Sequence, residues 1–142
     1  MRQYPVEKII DDLKYEEGYR AHCYECSMGA HTVGYGRNID EAQGGLGISE
    51  DEAEYLLKND IHRSALECER FHWFENLNTR QQSVIIHLCF WIGYPRLKQF
   101  KKMAAALANE DWETAADELM DSKLARDIPN RAERLAKELK NA

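Results

Sequence analysis

At 142 residues the chain has the length of one domain, or of two small lobes sharing a helix, and its 44% hydrophobic content is enough to bury a core without disulfide or metal staples. Charged residues make up 31% and are mixed in sign, which excludes the composition of a disordered chain, and the formal net charge of −6 argues against nucleic acid as a partner, because phosphate backbones select basic domains. The longest apolar run, 83–91, is interrupted by His87 and falls well short of the roughly 20 residues of a membrane span. The opening residues Met1-Arg2-Gln3-Tyr4-Pro5 lead into no secretory apolar core, so synthesis in the cytoplasm is expected. Over 5–17, Val6, Ile9, Ile10 and Leu13 recur at helical spacing, with Pro5 suited to a first turn and Gly18 to a stop. Segment 22–38 changes to aromatic, β-branched and glycine residues around a Met28-Gly29 turn, the pattern of a small antiparallel sheet. After a glycine-containing loop at 42–47, Ser49 and Glu52 form a capping box that opens a long helix to about residue 69.

A second capping box, Thr79 with Gln82, predicts the start of an apolar helix through 84–92 that Gly93 and Pro95 end. Further helices are expected at 97–108, 112–119 and 130–140. The class is therefore α+β. A sheet-bearing lobe over about 18–48 is followed by a connecting helix at about 49–70 and a helical lobe over 71–142, with the N-terminal helix expected to pack on the latter. A groove between such lobes is where a ligand would bind. Cys23, Cys26, Cys68 and Cys89 make an even count, but without a secretory signal they are expected as reduced thiols, and Cys68 and Cys89 fall on helices as small apolar residues.

Chemistry concentrates on Glu17, Cys26 and Thr32. On a helical wheel the apolar stripe of the first helix runs into Glu17, so its carboxyl is expected on a buried-facing side where desolvation favours the protonated form that a general acid needs. Cys26 and Thr32 flank the turn around Gly29 and can stand together on paired strands. In Thr32-Val33-Gly34-Tyr35-Gly36, alternation puts Thr32 and both glycines on one face, leaving room for a ligand against backbone. Equally, Glu17 could be a surface glutamate at a frayed end, and the glycines a softened strand with no ligand.

Glu17-Gly18, with Cys26 nine positions on and Thr32 six beyond, resembles the Glu, Asp/Cys, Thr pattern of the phage lysozymes, the endolysin muramidases of glycoside hydrolase family 24. Leu13-Lys14-Tyr15-Glu16-Glu17-Gly18-Tyr19-Arg20 is similar to that family's first helix, and the stretch from Gly29 to Asn38 to its glycine-rich strands. Gly47-Ile48-Ser49, Trp112-Glu113-Thr114-Ala115-Ala116 and Pro129-Asn130-Arg131-Ala132 resemble further family segments. The resemblance implies a lysozyme-like fold and hydrolysis of the β-1,4 bond between N-acetylmuramic acid and N-acetylglucosamine. It implies that Glu17 protonates the glycosidic oxygen, that Cys26 is the base or a nucleophile-like group, and that Thr32 positions water. It implies that Asn38 and Phe90 contact sugar, Phe90 being equally readable as core, and that Arg131 pairs with the acid across the cleft. It implies a monomer acting on bacterial peptidoglycan outside the cytoplasm of its host, released with a holin-like export partner, and no metal or cofactor.

Two departures stand out. Cys26 occupies a place where many members have Asp, and a thiol is expected to be a poor base at neutral pH, made poorer by a charged Glu17 nearby. The acidic net charge contrasts with basic relatives, although Arg131, Arg134, Lys137 and Lys140 on the last helix offer either a local positive surface or a plain solvated face. Rival readings are a lysozyme-like wall-binding module without turnover, and a metal or redox site at Cys23-Tyr24-Glu25-Cys26 with His22 and His31, for which a single Cys pair is thin.

Overall fold

A computed structural model describes residues 3–142. The chain divides into two compact units, one through Glu54 and one from Tyr55. The first holds helix α1 (Val6–Glu17) and a three-stranded antiparallel sheet, β1 (Arg20–Glu25), β2 (His31–Gly34) and β3 (Arg37–Asn38), in the order β1-β2-β3. Pro5 precedes α1, and Gly18 ends it with φ +69°, a conformation that only glycine adopts without strain. The predicted helix and sheet are thus present, but α1 buries none of its residues: Val6, Ile9, Ile10 and Leu13 are 36–55% exposed.

The strand predicted to run through Gly36 ends two residues earlier. Gly34 and Gly36 take φ +69° and +78°, so residues 34–36 make a turn rather than a continued strand. Thr32 pairs with Tyr24 on β1 and with Asn38 on β3, and Val33 pairs with Arg37, which sets the hairpin register.

A short 3-10 turn (Glu41–Gln43), capped by the Asp40 carboxylate, leads to helix α2 (Glu50–Cys68). The Ser49 box forms as predicted: the Ser49 amide donates to Glu52 Oε1 at 2.9 Å and the Glu52 amide to Ser49 Oγ at 3.3 Å. Glu52 also receives two hydrogen bonds from Arg37, Nη1 to Oε1 at 2.8 Å and Nη2 to Oε2 at 2.7 Å, while Arg37 Nη1 donates to the Gly47 carbonyl at 3.0 Å. Arg37, more than the two Ser49 contacts, pulls the Glu52 carboxyl down to a pKa of about 2. A carboxylate depressed on folding adds stability above its ordinary 4.5 and loses it as pH falls toward 2. Glu52→Gln should therefore flatten the fall of Tm with pH between those limits, by one proton's worth of slope, in melts followed by circular dichroism. Identical slopes for the two proteins would rule out this clamp as a contributor.

The second unit is helical: the rest of α2, then α3 (Thr79–Ile92), α4 (Tyr94–Leu97), α5 (Lys101–Ala108), α6 (Trp112–Met120), α7 (Lys123–Asp127) and α8 (Pro129–Asn141). Its core joins Val84, Ile85 and Leu88 of α3 to Met103 and Leu107 of α5, Leu119 of α6 and Leu135 and Leu139 of α8. Ala132, Leu135, Ala136 and Leu139 give α8 one buried face at i, i+3, i+4, i+7. On its other face Lys137 pairs with Glu133 at 3.2 Å and Lys140 with Glu113 at 3.7 Å, so the basic run is partly neutralised. The N-cap of α3 is Asn78, not Thr79, with Gln81 as its reciprocal partner, one residue before the predicted box. Gly93 ends α3 with φ +85° and caps α4, which opens at Tyr94 with Pro95 in its first turn; the helix expected over 97–108 begins only at Lys101. All four cysteines are free, with Cys68 and Cys89 buried in helices and Cys23 exposed. Among the described residues no helix is long and apolar enough to cross a membrane.

Candidate active site

Cys26 directly follows β1 and opens a tight turn. The Gly29 amide donates to the Cys26 carbonyl at 2.8 Å, and the Cys26 amide donates to the Ala30 carbonyl at 2.9 Å, so the turn is closed at both ends. Cys26 is half-buried. The Ala30 amide, then that of Met28, lowers the thiol pKa from its ordinary value, with a further lowering from the Thr32 hydroxyl; partial desolvation works the other way. Hydrogen bonds to the charged form favour it, so this turn eases ionisation of the thiol. That corrects the expectation of an unassisted thiol burdened by Glu17: the groups acting on the sulfur are donors, and Glu17 is not among the causes.

Thr32 is 3% exposed, and its Oγ1 donates to the Ala30 carbonyl at 2.9 Å. The same hydroxyl is within hydrogen-bond reach of Cys26. It has one proton for two acceptors. The Ala30 carbonyl also accepts the Cys26 amide, so it stays paired whichever acceptor the Thr32 proton serves. The sheet register thus brings Cys26 and Thr32 together across the β1–β2 turn.

Glu17 closes α1 and is exposed, in place of the buried-facing carboxyl expected from the helical wheel. The apolar stripe that Glu17 continues is itself exposed on α1, so sharing its face does not bury the carboxyl. What locates the carboxyl is the hairpin. A side chain added at Gly36 would put its Cβ 2.7 Å from Glu17 Oε2 and 2.9 Å from Cδ, so the missing side chain at Gly36 makes room for Glu17. Sequence reasoning left that space for a ligand; the carboxyl occupies it. Beside it, the Lys14 ammonium lies 5.3 Å from the Tyr35 ring centre and Tyr19 packs on Tyr35 at 5.7 Å, fastening the end of α1 to the 34–36 turn.

Gly36→Ala should consequently displace Glu17 as well as strain a φ of +78°. The exposed carboxyl can swing aside at small cost, so the loss of turnover should exceed what the drop in Tm accounts for. Comparison of kcat with thermal melts checks this; a variant that is destabilised yet fully active would show that the carboxyl needs no seat there.

Asn38 lies on β3 with its side chain engaged in the following loop: Oδ1 accepts from the Asp40 amide at 2.9 Å and Nδ2 donates to the Gln43 carbonyl at 3.3 Å. Gly45 closes that loop tightly, since a Cβ there would stand 2.4 Å from Asn38 Oδ1. In the helical unit Phe90 and Arg131 line one cavity of about 410 Å³ with Leu57, Ile61, Ile86 and His87. Phe90 is 44% exposed there and is not core. Arg131 Nε donates to His87 Nε2 at 2.9 Å, and its guanidinium lies 4.0 Å from the Trp91 ring centre. Accepting at Nε2 requires a neutral imidazole. Burial first, then the charge of Arg131, lowers the His87 pKa and keeps it so. Neither His87 nor Trp91 was singled out for this role in the sequence, where His87 reads only as a break in an apolar run. Among the described residues no group of three or more His, Cys, Asp or Glu is arranged to hold a metal, and His22 and His31 are exposed.

Comparison with known proteins agrees with the fold. The sequence model of a family described as phage lysozyme matches residues 14–137. Two relatives from Dictyostelium discoideum, named "Probable T4-type lysozyme 2" and "Probable T4-type lysozyme 1", are 26% and 24% identical to the chain, each alignment spanning 92% of both proteins.

Proposed function

Since the chain belongs to the phage lysozyme family, we propose that it is a muramidase that hydrolyses the β-1,4 bond between N-acetylmuramic acid and N-acetylglucosamine in bacterial peptidoglycan. The observation that carries this is the hairpin site: a thiol held toward its charged form by turn amides and Thr32, on the same sheet whose 34–36 turn seats the Glu17 carboxyl. Glu17 gives its proton to the glycosidic oxygen as the bond to the muramic acid anomeric carbon breaks. Water held by Thr32 adds to that carbon and passes a proton to the Cys26 thiolate, leaving the next cycle a carboxylate and a thiol whose proton returns through solvent. Glu17, exposed in the free protein, reaches the dry surroundings an acid needs when the sugar covers it. Asn38, Phe90 and Arg131 are assigned to sugar contact. The enzyme acts as a monomer, and a holin-like partner delivers it from the host cytoplasm to the wall, where its action lyses the cell.

Purified peptidoglycan, digested and analysed by mass spectrometry, tests the assignment. Fragments ending in reducing N-acetylmuramic acid are expected. Anhydro-muramic ends would instead mean a lytic transglycosylase, and binding to permeabilised cells without clearing would mean a wall-binding module without turnover.

A further inference from the structure

Two cysteines that the hairpin chemistry does not use meet in the core of the helical unit. Cys68, the last residue of α2, is 0% exposed, and Cys89, on the final turn of α3, is 2% exposed. Cys68 Sγ donates to the carbonyl of Ile85 at 3.7 Å, one helical turn before Cys89 on the same face. Cys68 and Cys89 are near neighbours in the same core cluster, and Ser64 of α2 lines a surface cleft beside Cys89. The pair is asymmetric in access. Cys89 lines that cleft with Ser64, Arg63, Glu67 and Phe90, whereas Cys68 lies behind it.

We propose that Cys68 and Cys89 are a latent disulfide, open in a reducing compartment and closed in an oxidising one, which staples α2 to α3. This stands apart from the hydrolase assignment and holds whatever the hairpin does. The chemistry is ordinary thiol exchange with a small disulfide such as oxidised glutathione. The Cys89 thiolate, reached through the cleft, attacks one sulfur of the oxidant and expels a glutathione thiolate. The Cys68 thiolate then attacks the Cys89 sulfur of the mixed disulfide and expels the second. Two protein thiols lose two electrons and two protons; one glutathione disulfide becomes two thiols. Burial pushes both protein thiols up from their ordinary pKa, Cys68 also through its neighbour Cys89, so the thiolate is scarce while the core stays shut. Exchange is therefore slow in the folded state, and closure goes through a local opening or through refolding.

The test is to refold the full chain with oxidised glutathione at mildly alkaline pH, then map unreduced peptides. The expected product joins the Cys68 and Cys89 peptides at a mass two hydrogens below their sum. Because a loop of roughly 20 residues is closed, the oxidised protein should melt about 10 °C above a dithiothreitol-treated control. A Cys23→Ser/Cys26→Ser variant should go from two titratable thiols to none. In Cys68→Ser, oxidation should stop at a glutathione adduct on Cys89. Oxidised wild-type protein in which Cys68 and Cys89 are still alkylated after denaturation would overturn the proposal. So would exclusive pairing of either with Cys23 or Cys26, or a cross-link that lowers Tm.

Discussion

Glu17→Gln is expected to abolish clearing of outer-membrane-permeabilised cells, with turnover on purified peptidoglycan reduced about 10²- to 10⁴-fold, the range for losing a general acid or base. The amide keeps the size and planarity of the carboxyl, so it fits beside Gly36 as the native side chain does. It cannot supply a proton to a leaving alkoxide. Glu17 is exposed at the end of α1, and its replacement should leave Tm nearly unchanged, as surface substitutions do. The mutation thus separates chemistry from folding more cleanly than any other at this site. Normal clearing by Glu17→Gln would remove Glu17 from the mechanism and return it to the status of a surface residue. The neighbouring Glu16 is the control: also exposed on α1, its change to Gln should cost little.

Features written over three or four residues were legible in advance. The Ser49-Glu52 box is one, because both partners sit within a single turn and no distant group is needed to form it. The start of α3 shows how such local grammar can slip. Asn78-Thr79-Arg80-Gln81-Gln82 holds two overlapping boxes, each with a good cap and a glutamine three residues on, and the chain uses the first. Helices α4 and α7 are four and five residues long, too short for periodicity to register. What was illegible depends on residues distant in sequence. Arg37 reaches Glu52 fifteen positions away, and nothing near Gly36 says that its missing side chain is filled by Glu17. The stripe on α1 misled for a related reason. Periodicity tells which residues share a face, but only packing tells whether that face is buried, and on α1 it is not.

Cys26 is the position at which chemistry and sequence pattern part most, and its substitutions carry the second large effect. A base at this place must hold a negative charge, and the Ala30 and Met28 amides serve a carboxylate as well as they serve a thiolate. Cys26→Asp should therefore retain much of the activity, whereas Cys26→Ala, with no group to charge, should lose about 10²-fold or more. Cys26→Ser keeps the shape but has a hydroxyl that does not ionise at neutral pH, and it should fall with the alanine variant. The pH profile distinguishes the two active forms. In the wild type the acidic-side limb of kcat follows the thiol, which the turn lowers from its ordinary value; because thiols ordinarily titrate well above carboxylic acids, that limb should move to lower pH in Cys26→Asp. Alkylation of the native thiol should inactivate, with glycan fragments protecting it. Should Cys26→Ala or the alkylated enzyme clear cells at the native rate, the sulfur has no part in catalysis. If the thiolate takes a proton from water, the product appears with inverted anomeric configuration in wild type and Cys26→Asp alike. If instead it attacks the anomeric carbon, wild-type product retains configuration and a thioglycoside on Cys26 is trapped by acid quenching, an adduct that protonation of a thiolate by water never forms.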